Sequence, residues 1–377
     1  MKKLITIFAV LLLAAPAMAA DWSFYGSQRI ATWYVDRDYG DATVNGQDDD
    51  QATQWYFQGN SRLGAKVKAD KVSGQVELAL GSGGTSSGDG SDGAVSTRRA
   101  YGTWKFSDYG WLKVGKDYSP VTDFISSQWY DADGDLYGEG NFYGRRPAGI
   151  TLGLGNFELA FLTPSYGADV GTTTTGINGA TGGDPDSYIP RVEASYNLKF
   201  GPGYIKPFGG FQWYSVEENG IGNVTDDIDV FSWVLGVSTK WNIGAFSIGG
   251  QLSYGINEGA VTGWDTGSNA RASSLPTISG GGDDIDDVAT LQALIVPSFK
   301  VSDTLRFEAG VGYRMDDPDA QGLDKDEVLI FYLQALITLA PGVTIGPEVG
   351  YYDYMDGTAG NDQGNLWYAG AKWQIDF

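Results

Sequence analysis

Hydrophobic and polar residues alternate along most of this chain. In residues 191–200, RVEASYNLKF, every second position is apolar or aromatic, and the positions between are polar or charged. Because successive side chains of a β-strand point to opposite faces, this segment predicts a strand with one apolar and one polar face. The same pattern recurs at residues 231–241, 246–256, 304–314 and 366–377.

The alternating segments have the length and the aromatic ends of strands that cross a bilayer. They run for about 9–14 residues, close to what a tilted membrane-spanning strand requires. Aromatic residues gather near the segment ends, at Trp233, Trp241, Tyr351, Trp367 and Trp373. Such a distribution is typical of the aromatic girdles at the two membrane interfaces.

Short and long connections alternate between the segments. Short turns are predicted at residues 69–72, 107–110, 155–156, 201–203, 242–244, 301–303 and 341–342. Long loops are predicted at residues 36–51, 81–96, 119–146, 165–188, 218–229, 258–287, 315–326 and 354–364. These connections join sixteen strands, and an even number places both termini on the side of the short turns, which is periplasmic in such barrels.

Backbone hydrogen bonding requires such strands to close into a barrel. In hydrocarbon every N–H and C=O group must pair within the protein, so an open sheet edge is not tolerated. Sixteen strands enclose a lumen wide enough to hold water. The expected fold is therefore all-β: a single 16-stranded antiparallel transmembrane β-barrel over residues 20–377, with eight long extracellular loops and polar faces inward.

Composition excludes several functional classes. The 377 residues include no cysteine and no histidine, and the formal net charge is −22. Disulfides and cysteine-ligated metals are therefore absent, as is histidine-dependent catalysis. Barrel lipases and proteases rely on histidine, so we expect no enzyme. The acidic balance, without a basic stripe, argues against nucleic acid as a partner.

Residues 1–19 are predicted to be a signal peptide. Lys2 and Lys3 precede a short apolar stretch at residues 4–13, and Ala17-Met18-Ala19 forms an A-x-A cleavage site. We therefore expect export and a mature chain that begins near residue 20.

Three features resemble the trimeric general porins of the Gram-negative outer membrane. Residues 60–68, NSRLGAKVK, are similar to their second strand, and residues 98–122 are similar to their fourth and fifth strands. The terminal Phe377 matches the signal read by the barrel-assembly machinery. The resemblance implies a homotrimer, passive diffusion of small hydrophilic solutes and ions, and a third loop that folds into the barrel. The PEFGG-like signature of that loop is absent, so its path is not implied.

The resemblance also implies the residues of a pore constriction. Arg62 and Arg98 match wall arginines, and Arg145 and Arg146 stand where the third loop re-enters the barrel. Carboxylates on the loop would face them: Asp123, Asp131, Asp133, Asp135 and Glu139. Opposed rows of charge create a field across the narrowest slice of water, and the acidity of the whole chain favours a weak cation preference.

The alternation of strand side chains supports an inward position more clearly for Arg62 than for Arg98. If Arg62 points inward, Lys66 and Lys68 do too. If Arg98 points inward, strict alternation places Ala100 and Gly102 in the lumen, where they are acceptable, and also brings Trp104 and Phe106 into it near the periplasmic rim.

The acidic stretch DADGDLYGE at residues 131–139 has a second interpretation. Its spacing resembles the start of a calcium loop, with Asp131, Asp133, Asp135 and Glu139 as candidate ligands. However, Leu136 stands where such a loop needs glycine, and Phe142 stands where it needs glutamate. These residues could instead be acids that line the constriction or ordinary solvated acids of a loop. No other metal and no cofactor is expected.

Two other functions remain open at the level of sequence. A substrate-specific porin for a sugar or another small polar solute would line its pore with aromatic residues. A structural or adhesive barrel would be closed by its own loops. Acidic runs at residues 48–50 and 283–287 are typical of solvated surface charge, or of sites where divalent cations bridge the loops to lipopolysaccharide.

Overall fold

In the computed structural model, the described residues are 20–41, 49–80, 95–166, 185–216, 226–261, 264, 274–278 and 283–377. The proposed signal peptide, residues 1–19, lies outside them. The described residues form one antiparallel sheet that closes on itself, because the first strand pairs with the last. The 16-stranded barrel expected from the sequence is confirmed.

Sixteen strands follow one another around the described part of the barrel. They are β1 (Asp21–Asp38), β2 (Asp50–Phe57 and Arg62–Ala69), β3 (Val72–Leu80), β4 (Val95–Lys105), β5 (Gly110–Lys116), β6 (Ala148–Leu154), β7 (Phe157–Leu162), β8 (Pro185–Asp186, Arg191–Tyr196 and Leu198–Phe200), β9 (Gly203–Val216), β10 (Ile228–Ile243), β11 (Phe246–Ile256), β12 (Val288–Lys300), β13 (Leu305–Pro318), β14 (Asp326–Ala340), β15 (Val343–Asp353) and β16 (Asn365–Asp376). Each strand pairs with the next strand in the sequence. Short turns alternate with long connections around the barrel, as the pattern predicts.

Backbone bonds at the chain ends complete the closing seam. The Gly26 N–H donates to the Phe377 carbonyl oxygen at 2.7 Å, and the Phe377 N–H returns a bond to Gly26 at 3.0 Å. The Phe377 ring lies on the outer face, where a Cβ atom on Gly26 would come within 2.5 Å of it. Glycine at this position therefore leaves room for the terminal aromatic ring.

The two faces of the last strand follow the alternation of the sequence. Trp367, Trp373 and Ile375 are exposed on the outer face of β16, whereas Tyr368 and Lys372 are buried inside the barrel. Apolar side chains on the outer face suit contact with lipid, and polar side chains on the inner face can keep their hydrogen-bond partners.

A β-bulge in β4 changes the predicted alternation. Arg99 lies opposite Glu77 and Thr97 lies opposite Leu78, so Arg98 is the extra residue. A bulge shifts the side-chain alternation by one position. Arg98 and Arg99 consequently both bond to lumen groups, while Trp104 and Phe106 are exposed on the outer face. The expectation that these two aromatic residues line the lumen is wrong for this reason.

Among the described residues, parts of two long connections lie inside the barrel. The third, residues 117–147, carries a tight turn at Tyr130–Asp133 and packs on an apolar cluster inside the lumen. The sixth places Trp264, which is 1 % exposed, against Phe142 of the third. Among the described residues no helix is long and apolar enough to cross a bilayer.

Candidate pore constriction

Carboxylates on the barrel wall hold the third connection in the lumen. Glu348 on β15 accepts hydrogen bonds from the backbone N–H groups of Trp129, at 2.7 Å, and Tyr130, at 3.0 Å. Glu308 on β13 accepts a bond from the N–H of Ser127 at 2.8 Å. Backbone donors of a loop buried inside a protein need such partners. The wall formed by β13–β16 therefore determines the path of the third connection, which the sequence did not predict.

Glycines on the same wall make room for this connection. A Cβ atom at Gly346 would lie 1.0 Å from a ring carbon of Trp129. A Cβ atom at Gly312 would lie 2.2 Å from the carbonyl oxygen of Glu139. Both distances are far below contact, so side chains at these positions would displace the connection.

Left-handed backbone directs the acids of the third connection. Asp131, Ala132 and Asp133 have φ values of 52°, 61° and 63°, a conformation that non-glycine residues adopt at a cost of about 1 kcal/mol or more each. The turn brings the Asp133 carboxylate between the barrel's basic groups. It pairs with Arg29 on β1 and with the Lys372 Nζ at 2.6 Å.

The environments of Asp133 and Asp135 shift their pKa values in opposite directions. Burial alone would raise the pKa of the Asp133 carboxyl, but Lys372 and Arg29 together outweigh it and lower the pKa. Burial, aided by the Asp133 carboxylate, raises the pKa of Asp135 well above its ordinary value. Asp133 is therefore a fixed negative charge, whereas Asp135 favours its neutral form.

Glu77 on β3 organises the opposite wall. Its carboxylate accepts bonds from the Arg98 Nε at 2.9 Å and the Tyr25 hydroxyl at 2.7 Å, and Arg62 approaches it to 3.8 Å. Glu77 is not among the residues predicted from the sequence. Its inward position in β3, opposite a pair of arginines in the next strand, is the signal that could have identified it.

A second carboxylate extends this network along the wall. Asp117 accepts bonds from the Arg99 Nε and the Lys113 Nζ, each at 2.7 Å. Arg99 also donates to the Tyr101 hydroxyl at 3.3 Å. The basic groups of β4 and β5 are thus held by acids of the same wall rather than left to repel one another.

A cavity of about 510 Å³ separates the third connection from this wall. Its lining includes Arg29, Arg62, Arg98, Arg146, Asp131, Asp133, Asp135 and Glu139, together with Asn60, Tyr118, Phe124, Tyr137, Tyr143 and Tyr352. Most of the site residues predicted from the sequence therefore come together in one place, and Arg29 joins them.

Two predicted residues lie outside the cavity lining. Asp123 accepts a bond from the Tyr204 hydroxyl of β9 at 2.9 Å, across the lumen from the arginines. The Arg145 side chain is exposed, and its backbone has a φ of 56°. The turn at Arg145 directs only the following residue, Arg146, into the cavity.

The central calcium candidate lies among basic groups. Within the residues that the structure describes, no three acidic side chains come close enough to hold a metal ion. Asp133, the central candidate, already accepts bonds from Lys372 and from Asn60, the latter at 2.6 Å. The Asp133 carboxylate thus faces ammonium, guanidinium and amide donors.

Opposed charges face each other across the cavity inside a closed barrel. The solved structures similar to this chain have the same fold. The outer-membrane channel DcaP of Acinetobacter baumannii superposes with a TM-score of 0.69 at 17 % identity, covering 95 % of this chain and 97 % of its own. The anion-selective porin of Comamonas acidovorans gives 0.58 at 13 % identity, with 95 % and 100 % covered.

A third porin extends the comparison. OmpF of Salmonella typhi, in complex with daunomycin, gives a TM-score of 0.58 at 12 % identity, with 94 % of this chain and 97 % of its own covered. The sequence matches no protein-family model and no curated protein. The resemblance to outer-membrane porins is therefore confirmed at the level of the fold.

Proposed function

We propose that this protein is an outer-membrane channel for the passive diffusion of small hydrophilic solutes and ions, and not an enzyme. The observation that carries the proposal is the cavity between the arginines of β1, β2 and β4 and the acids of the third connection. Opposed charges there favour solutes that can align a dipole and disfavour apolar solutes, which must displace ordered water. The long connections would face the cell exterior and the short turns the periplasm.

We propose a weak preference for cations. The formal charge of −22 attracts cations toward the mouth of the channel, over distances of about one Debye length, or ~8 Å at physiological salt. At the constriction, acids and arginines nearly balance, because Glu77 and Asp133 are each bound to basic groups. The preference would therefore arise at the mouth and stay small.

Reversal potentials in planar bilayers test this proposal. Under a KCl gradient the protein should conduct and show a small cation preference. Arg62→Ala should increase the preference for cations. Neutralising Asp131, Asp133, Asp135 and Glu139 should shift it toward anions. Asp123→Asn, a change in the same connection but outside the cavity, serves as the control. Absence of any conductance would refute the channel and favour a barrel closed by its loops.

Assembly and partners form a separate part of the proposal. A homotrimer is supported by the fold shared with a trimer form of OmpT from Vibrio cholerae, which has a TM-score of 0.54 at 17 % identity. The protein would be exported after cleavage at residue 19, and the barrel-assembly machinery would recognise Phe377. The acidic residues of the outer loops would contact lipopolysaccharide. A calcium ion at residues 131–139 is not part of this proposal, because basic groups already meet Asp133.

A further inference from the structure

Three lysines on neighbouring strands surround one tyrosine at the short-turn end of the lumen. Lys199 on β8 and Lys240 on β10 both lie directly opposite Tyr204 on β9. Lys206 follows Tyr204 by two residues on the same strand and therefore points to the same face. The Tyr204 hydroxyl donates to the Asp123 carboxylate of the third connection at 2.9 Å, so this face is the inner one. Lys199, Lys206 and Lys240 are called the lysine group below.

Sheet geometry brings the three ammonium groups within reach of one small anion. Adjacent strands lie about 4.8 Å apart, so roughly 10 Å separates the Cα atoms of Lys199 and Lys240, and Lys206 lies roughly 7 Å along β9 from Tyr204. Each ammonium group ends a flexible four-carbon stem, which allows the three to converge. The Lys206 Nζ donates to the Thr122 carbonyl oxygen at 2.8 Å, and an ammonium group has further N–H donors for a ligand.

The lysine group has an excess of positive charge. Within the described residues none of its members forms an ion pair, whereas Lys113 on β5 is paired with Asp117. Asp123 reaches the group through the Tyr204 hydroxyl, and its single negative charge leaves the three ammonium groups in excess. Like charges held this close repel one another, and a bound anion would remove that repulsion.

A phosphate group suits this arrangement better than a carboxylate. A phosphate monoester carries close to two negative charges above its second pKa of about 6, and it offers three acceptor oxygens. Lysine binds phosphate as a point charge, whereas the fork of an arginine side chain matches the planar carboxylate. Three separate ammonium groups can therefore each meet one oxygen of the same phosphate group.

We propose that the lysine group is a subsite for the phosphate group of small phosphorylated solutes, at the short-turn end of the channel. The described residues that line the constriction cavity include none of its members, so the subsite is separate from the constriction. The inference rests on the proposed channel function and adds a class of solute to it.

Current block in planar bilayers at pH 7.5 tests the subsite with three solutes that share one sugar ring. Glucose 6-phosphate carries the phosphate dianion, glucuronate carries a single carboxylate, and glucose carries no charge. Glucose 6-phosphate should block the single-channel current at concentrations at least about tenfold lower than either of the others. Inorganic phosphate should compete with it, because the phosphate group is what the lysines bind. Equal block by glucuronate or by glucose, or no competition by inorganic phosphate, would overturn the proposal.

Substitutions separate the lysine group from the constriction. Lys199→Gln, Lys206→Gln and Lys240→Gln should each weaken block by glucose 6-phosphate, and the triple variant should weaken it about tenfold or more. Lys300→Gln is the matched control and should leave block unaltered, because Lys300 also lies near a short turn but is paired with Asp303. Block that survives the triple variant and is lost in Arg62→Gln would assign binding to the constriction and overturn the proposal.

Conductance in KCl distinguishes failure of the subsite from failure of the channel. Each variant is first checked for KCl conductance, which also verifies that it folds. Normal conductance of the unsubstituted protein without block by glucose 6-phosphate refutes the subsite and leaves the channel intact. Absence of conductance in the unsubstituted protein refutes the channel itself.

Discussion

At the residue scale, small side chains on the barrel wall determine how closely the third connection can approach it. Gly346 on β15 accepts the ring of Trp129, and Gly312 on β13 accepts the backbone of Glu139. Neither glycine has a left-handed φ, so the need for glycine comes from close approach and not from backbone conformation. In the sequence both look like ordinary strand glycines.

Replacing Gly346 with alanine should displace the third connection. The added Cβ atom would lie 1.0 Å from the Trp129 ring, so the ring and its neighbours must move. Overpacking of this kind costs about 1–3 kcal/mol. We expect a lower temperature for the loss of the heat-modifiable folded band on gels, together with altered single-channel conductance.

Gly102→Ala is the matched control for this prediction. Nothing lies nearer than 4.0 Å to a Cβ atom there, so stability and conductance should not change. Equal behaviour of the two variants would show that Trp129 does not occupy the wall at Gly346.

At the element scale, the bulge in β4 places two consecutive arginines in the lumen. Without it, one of Arg98 and Arg99 would face lipid, where a charged side chain near the bilayer centre costs about 2–4 kcal/mol. The extra residue also returns Trp104 to the outer face. The bulge therefore reconciles the inward arginines with the outward aromatic residues of one strand.

Deletion of Arg98 should leave the barrel able to fold. Thr97 and Arg99 already face Leu78 and Glu77, so the deletion converts a two-to-one pairing into a regular one. The pairing of β16 with β1 is regular. Deletion of Ala369 from β16 should therefore turn the side chains on one side of the deleted position to the wrong face of the sheet. Refolding yield in detergent, read as heat-modifiable protein, should be at least about tenfold lower for the second variant. Similar yields would contradict the assigned bulge.

At the scale of the whole molecule, described parts of the third and sixth connections meet inside the lumen. The sixth connection joins the third through Trp264, whose indole N–H donates to Glu193 on β8 at 2.9 Å. Glu258 of the same connection accepts a bond from Gln292 at 2.9 Å. Burial raises the pKa of Glu258 to about 8, although the nearby Arg314 opposes the shift and Asp316 adds to it.

The stability of the barrel should therefore fall as pH rises from about 4.5 to about 8. The folded protein keeps a proton on Glu258 that an unfolded chain releases near the ordinary pKa of 4.5. The unfolded state consequently binds fewer protons between the two values, and stability declines with pH until about 8. Asp133, whose pKa is lowered, has a constant charge across this range.

Denaturant midpoints at pH 6 and pH 9 measure this effect. The unsubstituted protein should have the lower midpoint at pH 9, and Glu258→Gln should reduce the difference between the two pH values. Glu158→Gln removes a carboxylate from another element, β7, and is the control. An unchanged difference in Glu258→Gln would assign the pH dependence to other groups.

The sequence by itself determined the barrel, the number of strands and the inward face of Arg62. Those features depend on a two-residue period and on turn spacing, which are local properties of the chain. It also named most of the charged residues that line the cavity, because the third connection had to join β5 to β6. Strands such as β14 were less informative, since Val328, Ile330, Leu329 and Phe331 are apolar on both faces.

Only the tertiary structure decided the path of the third connection, the partners of its acids and the roles of Arg29, Glu77 and Lys372. These depend on contacts between residues far apart in sequence, such as Asp133 with Lys372 and Trp129 with Gly346. No local pattern encodes which wall a loop will meet. The bulge at Arg98 likewise appears only when two strands are paired, because a single extra residue has meaning only against its partner strand.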